Sequence, residues 1–532
     1  MKKFMTESTK RNINFDYIFN EIRPITEYGI KAKQEAKPFT KGHEAELLEE
    51  FNKIEAFLDM KERRDAIDVL KHIKNIVETI ERAKNNQVLD EVELFEIKNF
   101  IMQVERMEKS LRGTLISIYE DLRLTPLPQL YKALDPANEK MYTFYIYDEY
   151  SEKLKNLRQK KKETDILIRQ LKKEIKNNIQ EKYNIKFNLR DEVTISKSDK
   201  EKLDELTKEI NLKVSAENYL SIIFKIKNSK KIDECEHKLE SLTAEEEQEE
   251  YVIRQNISGE VKSNYEDLLK STKTIGRIDY IIAKANYAQK TKSVKPDITT
   301  ELEIEVKNGR NLKLEKTLKE KHKDYVPIDL SLKTNVTCIT GANMGGKTVS
   351  LRMIGQIAST ASYGMFVPCE YAKLCLFEHI HISVGDDQSI EKGLSTFGAE
   401  IMNLKEALEN SKERCLILID ELAGGTNPKE GYAITKAVVN YLKNKDCITI
   451  LTTHYDNVAN DHEVQNLQVA GLNFPSWNDG EMKISNIDQI SKYMDYRLIE
   501  VKNENFIPKD ALKIAKMAGI EDIIIKDAEK YI

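Results

Sequence analysis

Apolar positions recur every three or four residues from Ile13 to about Leu130, as in Leu47, Leu48, Phe51, Ile54, Phe57 and Leu58, and glycine is scarce there. That period marks the buried face of amphipathic helices, so residues 1–147 are expected to form an all-helical domain. Pro126 and Pro128 break the pattern, and a mixed aromatic stretch from Met141 to Tyr150 marks a junction. The helical period then returns in a Lys-rich segment, Glu152 to Tyr183, with Leu154, Leu157, Ile168, Leu171 and Ile175 on one seam. Strand-like pieces at Val193-Thr-Ile195 and Tyr219-Leu-Ser-Ile-Ile-Phe224 interrupt it, and the helical pattern resumes from Ile232 to about Ala288. Residues 148–290 are therefore expected to be a long antiparallel coiled-coil arm with a small tip at about 187–226. A connector, 291–320, follows. From Asp329 onward short apolar strands alternate with helices, which predicts an α/β domain over 321–532. The expected fold is multidomain, with the helical region and its arm joined to that C-terminal α/β domain.

Charge refines this picture. Charged residues are 33% of the 532-residue chain and hydrophobic ones 40%, whereas an average globular protein has about 25% charged residues. Long solvated helices account for the excess. The net charge of -5 argues against a surface basic enough overall to grip nucleic acid, so any such contact would be local. The outgoing arm is basic (Lys153, Arg158, Lys160, Lys161, Lys162, Lys172) and the returning arm acidic (Glu236, Glu245, Glu246, Glu249, Glu250). Two readings follow: the arms neutralise each other, which we favour, or the basic run is a nucleic-acid stripe. Neither a signal peptide nor a run of about 20 apolar residues is visible, so a cytoplasmic protein is expected. Six cysteines without a CxxC pair suggest reduced thiols used as small hydrophobes.

The strongest chemical signal lies where the apolar strand Val336-Thr-Cys-Ile-Thr340 runs into Gly341, Ala342, Asn343, Met344, Gly345, Gly346, Lys347 and Thr348, just before a helix. This is a complete phosphate loop in its strand-loop-helix context. Its backbone N–H groups and the helix N-terminus would cradle the phosphates of ATP, Lys347 would neutralise them, and Thr348 would hold Mg2+. A second apolar strand, Cys415-Leu-Ile-Leu-Ile419, ends in Asp420-Glu421. A carboxylate pair there is costly unless a metal or water uses it, so Asp420 is assigned to Mg2+ and Glu421 to the attacking water. A third strand, Ile448 to Thr453, delivers His454, where a sensor of the terminal phosphate would sit; a structural histidine is the bland alternative. Ser395-Thr-Phe397 reads by itself as a helix N-cap.

Taken together, Thr340 to Thr348, Ser395-Thr-Phe397, Asp420-Glu421-Leu-Ala-Gly-Gly-Thr426 and Thr452-Thr-His-Tyr455 resemble the ATPase of the MutS family. The resemblance implies an ABC-type P-loop ATPase that works as a homodimer with composite sites. By it, Ser395 would reach the ATP of the other subunit, Tyr325 would pack on the adenine, and the helical region and arm would be lever and clamp. The Phe19-Asn-Glu21 spelling of the family's mismatch wedge falls in an amphipathic helix and reads as coincidence, so mismatch recognition is not expected. The wording around Asp386 to Ser395 is similar to the second MutS paralogue branch, yet no nuclease module of the Smr type is expected. The motifs also resemble the ATPase subunit of a reactivase for an adenosylcobalamin-dependent lysine aminomutase. DNA, structured or branched, is thus the default partner, and a protein client the alternative.

Overall fold

The computed structural model describes residues 3–61, 63–139, 143–341, 346–384, 396–424, 426–455, 457–472, 494–501, 512, 515–516 and 519–531. The chain folds into two units, one of residues 73–108 and 124–272, the other of 1–72, 109–123 and 273–532.

In the first unit, serine caps start the two longest helices. Ser151 accepts from the Leu154 amide at the head of α1 (Glu152–Tyr183), and Ser229 accepts from Ile232 at the head of α2 (Lys230–Ser263). Each cap satisfies an amide that the first helical turn leaves unpaired. Between them lie β1 (Glu192–Ser196), a short helix Lys200–Thr207, β2 (Leu212–Glu217) and β3 (Ser221–Ile226), forming an antiparallel sheet of order β1-β3-β2. Its core is Ile179, Val193, Ile195, Leu206, Leu212 and Phe224. The strand expected from Tyr219 begins only at Ser221. The Asn218 side chain accepts from the Leu220 and Ser221 amides at 2.9 and 2.7 Å, an Asx-type closure that makes Tyr219 and Leu220 an exposed turn.

Leu154, Leu157, Thr164, Ile168 and Ile179 are the buried positions of α1, one seam of helical spacing. Ion pairs fix its direction against α2: Lys153 with Glu249 (2.8 Å), Arg158 with Glu250 (2.7 Å) and Glu246 (2.9 Å), Lys161 with Glu246 (2.6 Å), and Lys172 with Glu236 (2.7 Å). Numbers rise on one helix as they fall on the other, so the two run antiparallel. The mutual-neutralisation reading holds for these four cations. Lys155, Lys160 and Lys162 are exposed and have no ion pair among the described residues.

The second unit contains most of α3 (Tyr265–Thr291), then β4 (Asp297–Thr299), β5 (Ile304–Gly309), the helix Leu312–Glu320, β6 (Ile328–Leu332), β7 (Val336–Thr340), α4 (Lys347–Ser362), β8 (Tyr371–Cys375) and β9 (His379–Ser383). There follow α5 (Thr396–Asn410), β10 (Cys415–Ile419), α6 (Pro428–Leu442), β11 (Cys447–Thr452), β12 (Val464–Leu472) and β13 (Met494–Glu500). Five parallel strands and the antiparallel edge strand β13 give a sheet of order β13-β12-β7-β11-β10-β9, and a smaller sheet has order β4-β8-β5-β6.

Both faces of the larger sheet are covered, so its central strands β7, β11 and β10 are buried at nearly every position and β10 is apolar throughout. On β10, Leu416 and Leu418 face a core with Leu351, Ile354 and Ile357 of α4, while Cys415, Ile417 and Ile419 face another with Leu404 and Ala407 of α5 and Val439 and Leu442 of α6. Ile13, Phe15, Ile18 and Ile22 join the α4 side. Gly355 of α4 permits that contact, since a Cβ there would stand 2.6 Å from Ile13 and 2.9 Å from Leu418.

Below α4 lies a buried charge cluster. Glu50 accepts from Lys284 at 2.7 Å and from Arg277 at 2.5 Å, and Lys284 also donates to the carbonyl of Tyr363, the residue that ends α4. An ammonium at a helix C-terminus meets the negative end of its dipole. Burial alone would push the Glu50 carboxyl up, but the Lys284 and Arg277 cations outweigh it and hold it at about 2. All six cysteines are free thiols; five are buried in this unit and Cys235, on α2, is half-buried in the other.

Candidate active site

Three neighbouring parallel strands, β7, β11 and β10, end on one side of the sheet, and the candidate groups emerge there. β7 stops at Thr340, and Gly341 follows with φ 118°, a conformation that favours glycine. Gly346, φ 82°, caps α4. Ala342, Asn343, Met344, Gly345 and Ser395 lie outside the described residues.

Lys347 opens α4 with its side chain only 2% exposed. Its ammonium donates to the Gly341 carbonyl at 2.8 Å and lies 3.3 to 3.4 Å from the ring nitrogens of His454 and 4.0 Å from Glu421 Oε1. Burial lowers its pKa, against the opposing pull of Glu421 and Asp420. Phosphate oxygens would be stronger acceptors for this buried ammonium than a backbone carbonyl or an imidazole nitrogen.

Thr348 and Asp420, the two residues assigned to Mg2+, touch: the Thr348 hydroxyl donates to Asp420 Oδ2 at 2.7 Å. Hydroxyl and carboxylate oxygens suit a hard divalent cation. Among the described residues no group of three or more His, Cys, Asp or Glu is placed to form a metal cage.

Thr452, a residue the sequence reading gave no role of its own, ties the carboxylate pair together. Its hydroxyl donates to Asp420 Oδ1 at 2.6 Å and accepts from the Glu421 amide at 3.0 Å. The available signal was a hydroxyl at the end of a buried strand, one strand away from the carboxylate pair. His454 Nε2 lies 2.8 Å from Glu421 Oε1. With Nε2–H donated to that carboxylate, Nδ1 remains free to accept from Lys347. Glu421 and Ala423 have φ of 52° and 58°, left-handed values that cost a non-glycine residue about 1–3 kcal/mol and persist only where surroundings enforce them. Tyr455 contributes to that enforcement by donating its hydroxyl to the Ala423 carbonyl at 3.0 Å.

Tyr325 is half-buried, and its hydroxyl accepts from the Asn311 amide at 3.1 Å; burial pushes the phenol up to about 12. A second aromatic ring stands at the loop itself: a Cβ on Gly346 would lie 3.2 Å from Tyr496 of β13. Nothing in the sequence pattern had pointed to Tyr496.

This arrangement can bind a polyphosphate and a divalent cation and present a carboxylate–imidazole pair beside them. The family model of MutS domain V matches residues 337–532. The chain is 28% identical to the "Endonuclease MutS2" of Caldanaerobacter subterraneus subsp. tengcongensis over 99% of its own length and 64% of the relative's. It is 28% identical to the "Endonuclease MutS2" of Staphylococcus carnosus, over 74% of this chain and 50% of that one. To the "DNA mismatch repair protein MutS" of Clostridioides difficile it is 29% identical, over 90% and 50% respectively. The chain thus spans between half and just under two thirds of the length of these relatives.

Proposed function

This chain belongs to the MutS family, and on that footing we propose that it is a dimeric ABC-type ATPase that couples ATP binding and hydrolysis to movement of its arm on structured or branched DNA. The observation that carries the reading is the convergence of Lys347, Thr348, Asp420, Glu421 and His454 at the ends of three adjacent strands.

In this reading Lys347 and the loop amides bind the phosphates, and Thr348 and Asp420 hold Mg2+, which when bound spreads the charge of the β- and γ-phosphates. Glu421 orients the attacking water and takes up its proton. His454 fixes the Glu421 carboxylate until the terminal phosphate arrives and competes for both His454 and Lys347. Tyr325 packs on the adenine, and Ser395 completes the site of the other subunit. The site residues belong to an ATPase domain, 321–532, joined by a connector, 291–320, to a lever, 1–147, and a coiled-coil arm, 148–290. The partner is DNA: the three relatives named above are called endonucleases or a DNA mismatch repair protein, and the exposed Lys155, Lys160 and Lys162 leave α1 with cations for phosphates. None of those relatives favours the protein-client alternative.

The test is steady-state ATP hydrolysis with no DNA, linear duplex or a four-way junction. Glu421→Gln should bind ATP but turn it over about 100-fold more slowly or worse, and the junction should stimulate the natural chain more than the duplex. Equal turnover by the variant would remove Glu421 from its role. A rate indifferent to every DNA, with no binding of either DNA at low salt, would remove DNA as the partner.

A further inference from the structure

Strand β11 and its continuation grip the turn after β10 at two points, one on each side of the Glu421 side chain. The hydroxyl of Thr452 accepts from the Glu421 amide at 3.0 Å, and the hydroxyl of Tyr455 donates to the Ala423 carbonyl at 3.0 Å. Between those two anchors the same segment carries His454, whose Nε2 lies 2.8 Å from Glu421 Oε1. The turn needs such anchors, because Glu421 and Ala423 are left-handed without being glycine. A backbone bond from the Gly424 amide to the Glu421 carbonyl, 3.3 Å long, closes it.

The outer anchor is built around a missing side chain. Gly431 lies near the start of α6, and a Cβ there would stand 2.0 Å from the Tyr455 hydroxyl oxygen, 2.8 Å from its Cζ and 2.9 Å from the Ala423 carbonyl oxygen. The hydrogen bond between Tyr455 and Ala423 therefore fills the space that any other residue at 431 would need. Gly431 is not left-handed, so the glycine serves this close approach and not a turn. The phenol is directed from both ends: the Tyr455 amide donates to the Thr453 hydroxyl at 3.0 Å, and its ring meets that of Tyr432 edge-on, with centroids 6.5 Å apart.

We propose that Tyr455 is a positioning residue for hydrolysis, whose hydroxyl, seated in the notch at Gly431, latches the Ala423 carbonyl and with Thr452 fixes the Glu421 carboxylate against His454. The inference rests on the reading of Glu421 as the hydrolytic carboxylate. It also draws the beginning of α6 into the site, because Gly431 and Ala423 meet at the same hydroxyl.

The experiment compares steady-state ATP hydrolysis, ATP binding and thermal unfolding of the full chain as Tyr455→Phe, Gly431→Ala, the two together, and Glu421→Gln. Phe keeps the ring and removes only the donor, so kcat should fall about tenfold or more while KM stays within about threefold and Tm drops by no more than about 4 °C. Gly431→Ala should reproduce that loss with Tyr455 intact, because its methyl displaces the hydroxyl. The double variant should lose no more than the more impaired single one, since both changes break one bond. Losses that multiply in the double variant would show two separate effects and overturn the latch. Natural kcat in either single variant beside an inactive Glu421→Gln would also overturn it and leave the role of Glu421 standing. So would a fall in kcat matched by a loss of ATP binding and a larger drop in Tm, which would mark Tyr455 as a packing residue only. Natural kcat in Glu421→Gln would instead overturn the reading on which the proposal rests.

Discussion

Around Glu50 two cations converge on one buried carboxylate, and one of them also closes the end of α4. Along α1 and α2 the carboxylates meet their cations at the surface, where Lys172 and Glu236 keep 45% and 39% of their side-chain area in water. The chemistry of the pairs is the same and the solvent differs. Water and salt screen the helix pairs and would take over any lost contact, so they set register at little net gain. Glu50 and Lys284 keep only 3% and 2% of their side-chain area in water, so water cannot readily replace either as the other's partner. The end of the sheet where the candidate site lies follows the second pattern: Asp420 meets the hydroxyls of Thr348 and Thr452 at 2.7 and 2.6 Å, and Lys347 meets the Gly341 carbonyl at 2.8 Å.

The contrast is broken most directly at Glu50. Glu50→Ala leaves Lys284 buried without its carboxylate and should cost about 3–5 kcal/mol, read as a lower urea midpoint of the unit's unfolding. A loss under about 1 kcal/mol would put this cluster in the same class as the arm. The pH dependence sharpens the point. The folded Glu50 carboxyl, at about 2, lies below its ordinary 4.5, so its stabilisation is complete above pH 4.5 and is lost as pH falls toward 2. The amount at stake is about 3 kcal/mol, and Glu50→Ala should flatten that part of the curve of stability against pH.

A smaller effect is expected at Thr452. Thr452→Val keeps the branched strand residue but removes the hydroxyl shared by Asp420 and Glu421, which should cost about 1–3 kcal/mol of stability and slow hydrolysis about tenfold. The smallest belongs to the arm. Lys172→Ala should lower stability by about 0.2–1 kcal/mol in low salt, and the difference should vanish in about 1 M salt, where the screening length is about 3 Å.

Periodicity made much of this architecture legible. Strands with apolar residues on both faces announced a sheet covered on both sides, and carboxylates and a histidine at the ends of such strands were conspicuous because burial there is expensive. The sequence therefore named Lys347, Thr348, Asp420, Glu421 and His454, which the fold brings together. Period tells which face of a helix is buried but not against what, so the seating of Ile13 and Phe15 in the sheet's core could not be read. Thr452 looked like any β-branched strand residue, and its two bonds depend on the register of β11 beside β10. Tyr496 reaches Gly346 from an edge strand some 150 residues later, a proximity set by the order of strands alone. At Tyr219 a run of β-formers lost to one asparagine, because a side-chain turn satisfies two amides without a partner strand.

The placement of the six thiols gives the molecule a built-in chemical clock. Five are sealed in one unit and one is within reach of solvent on α2 of the other, so an alkylating reagent has a single prompt target, Cys235, and five that react only when their unit opens. Site-resolved labelling by mass spectrometry would therefore time the opening of that one unit in an undisturbed sample. A nucleotide that tightens the larger sheet would slow the rates of Cys338, Cys415 and Cys447 in β7, β10 and β11 and leave that of Cys235 as an internal standard.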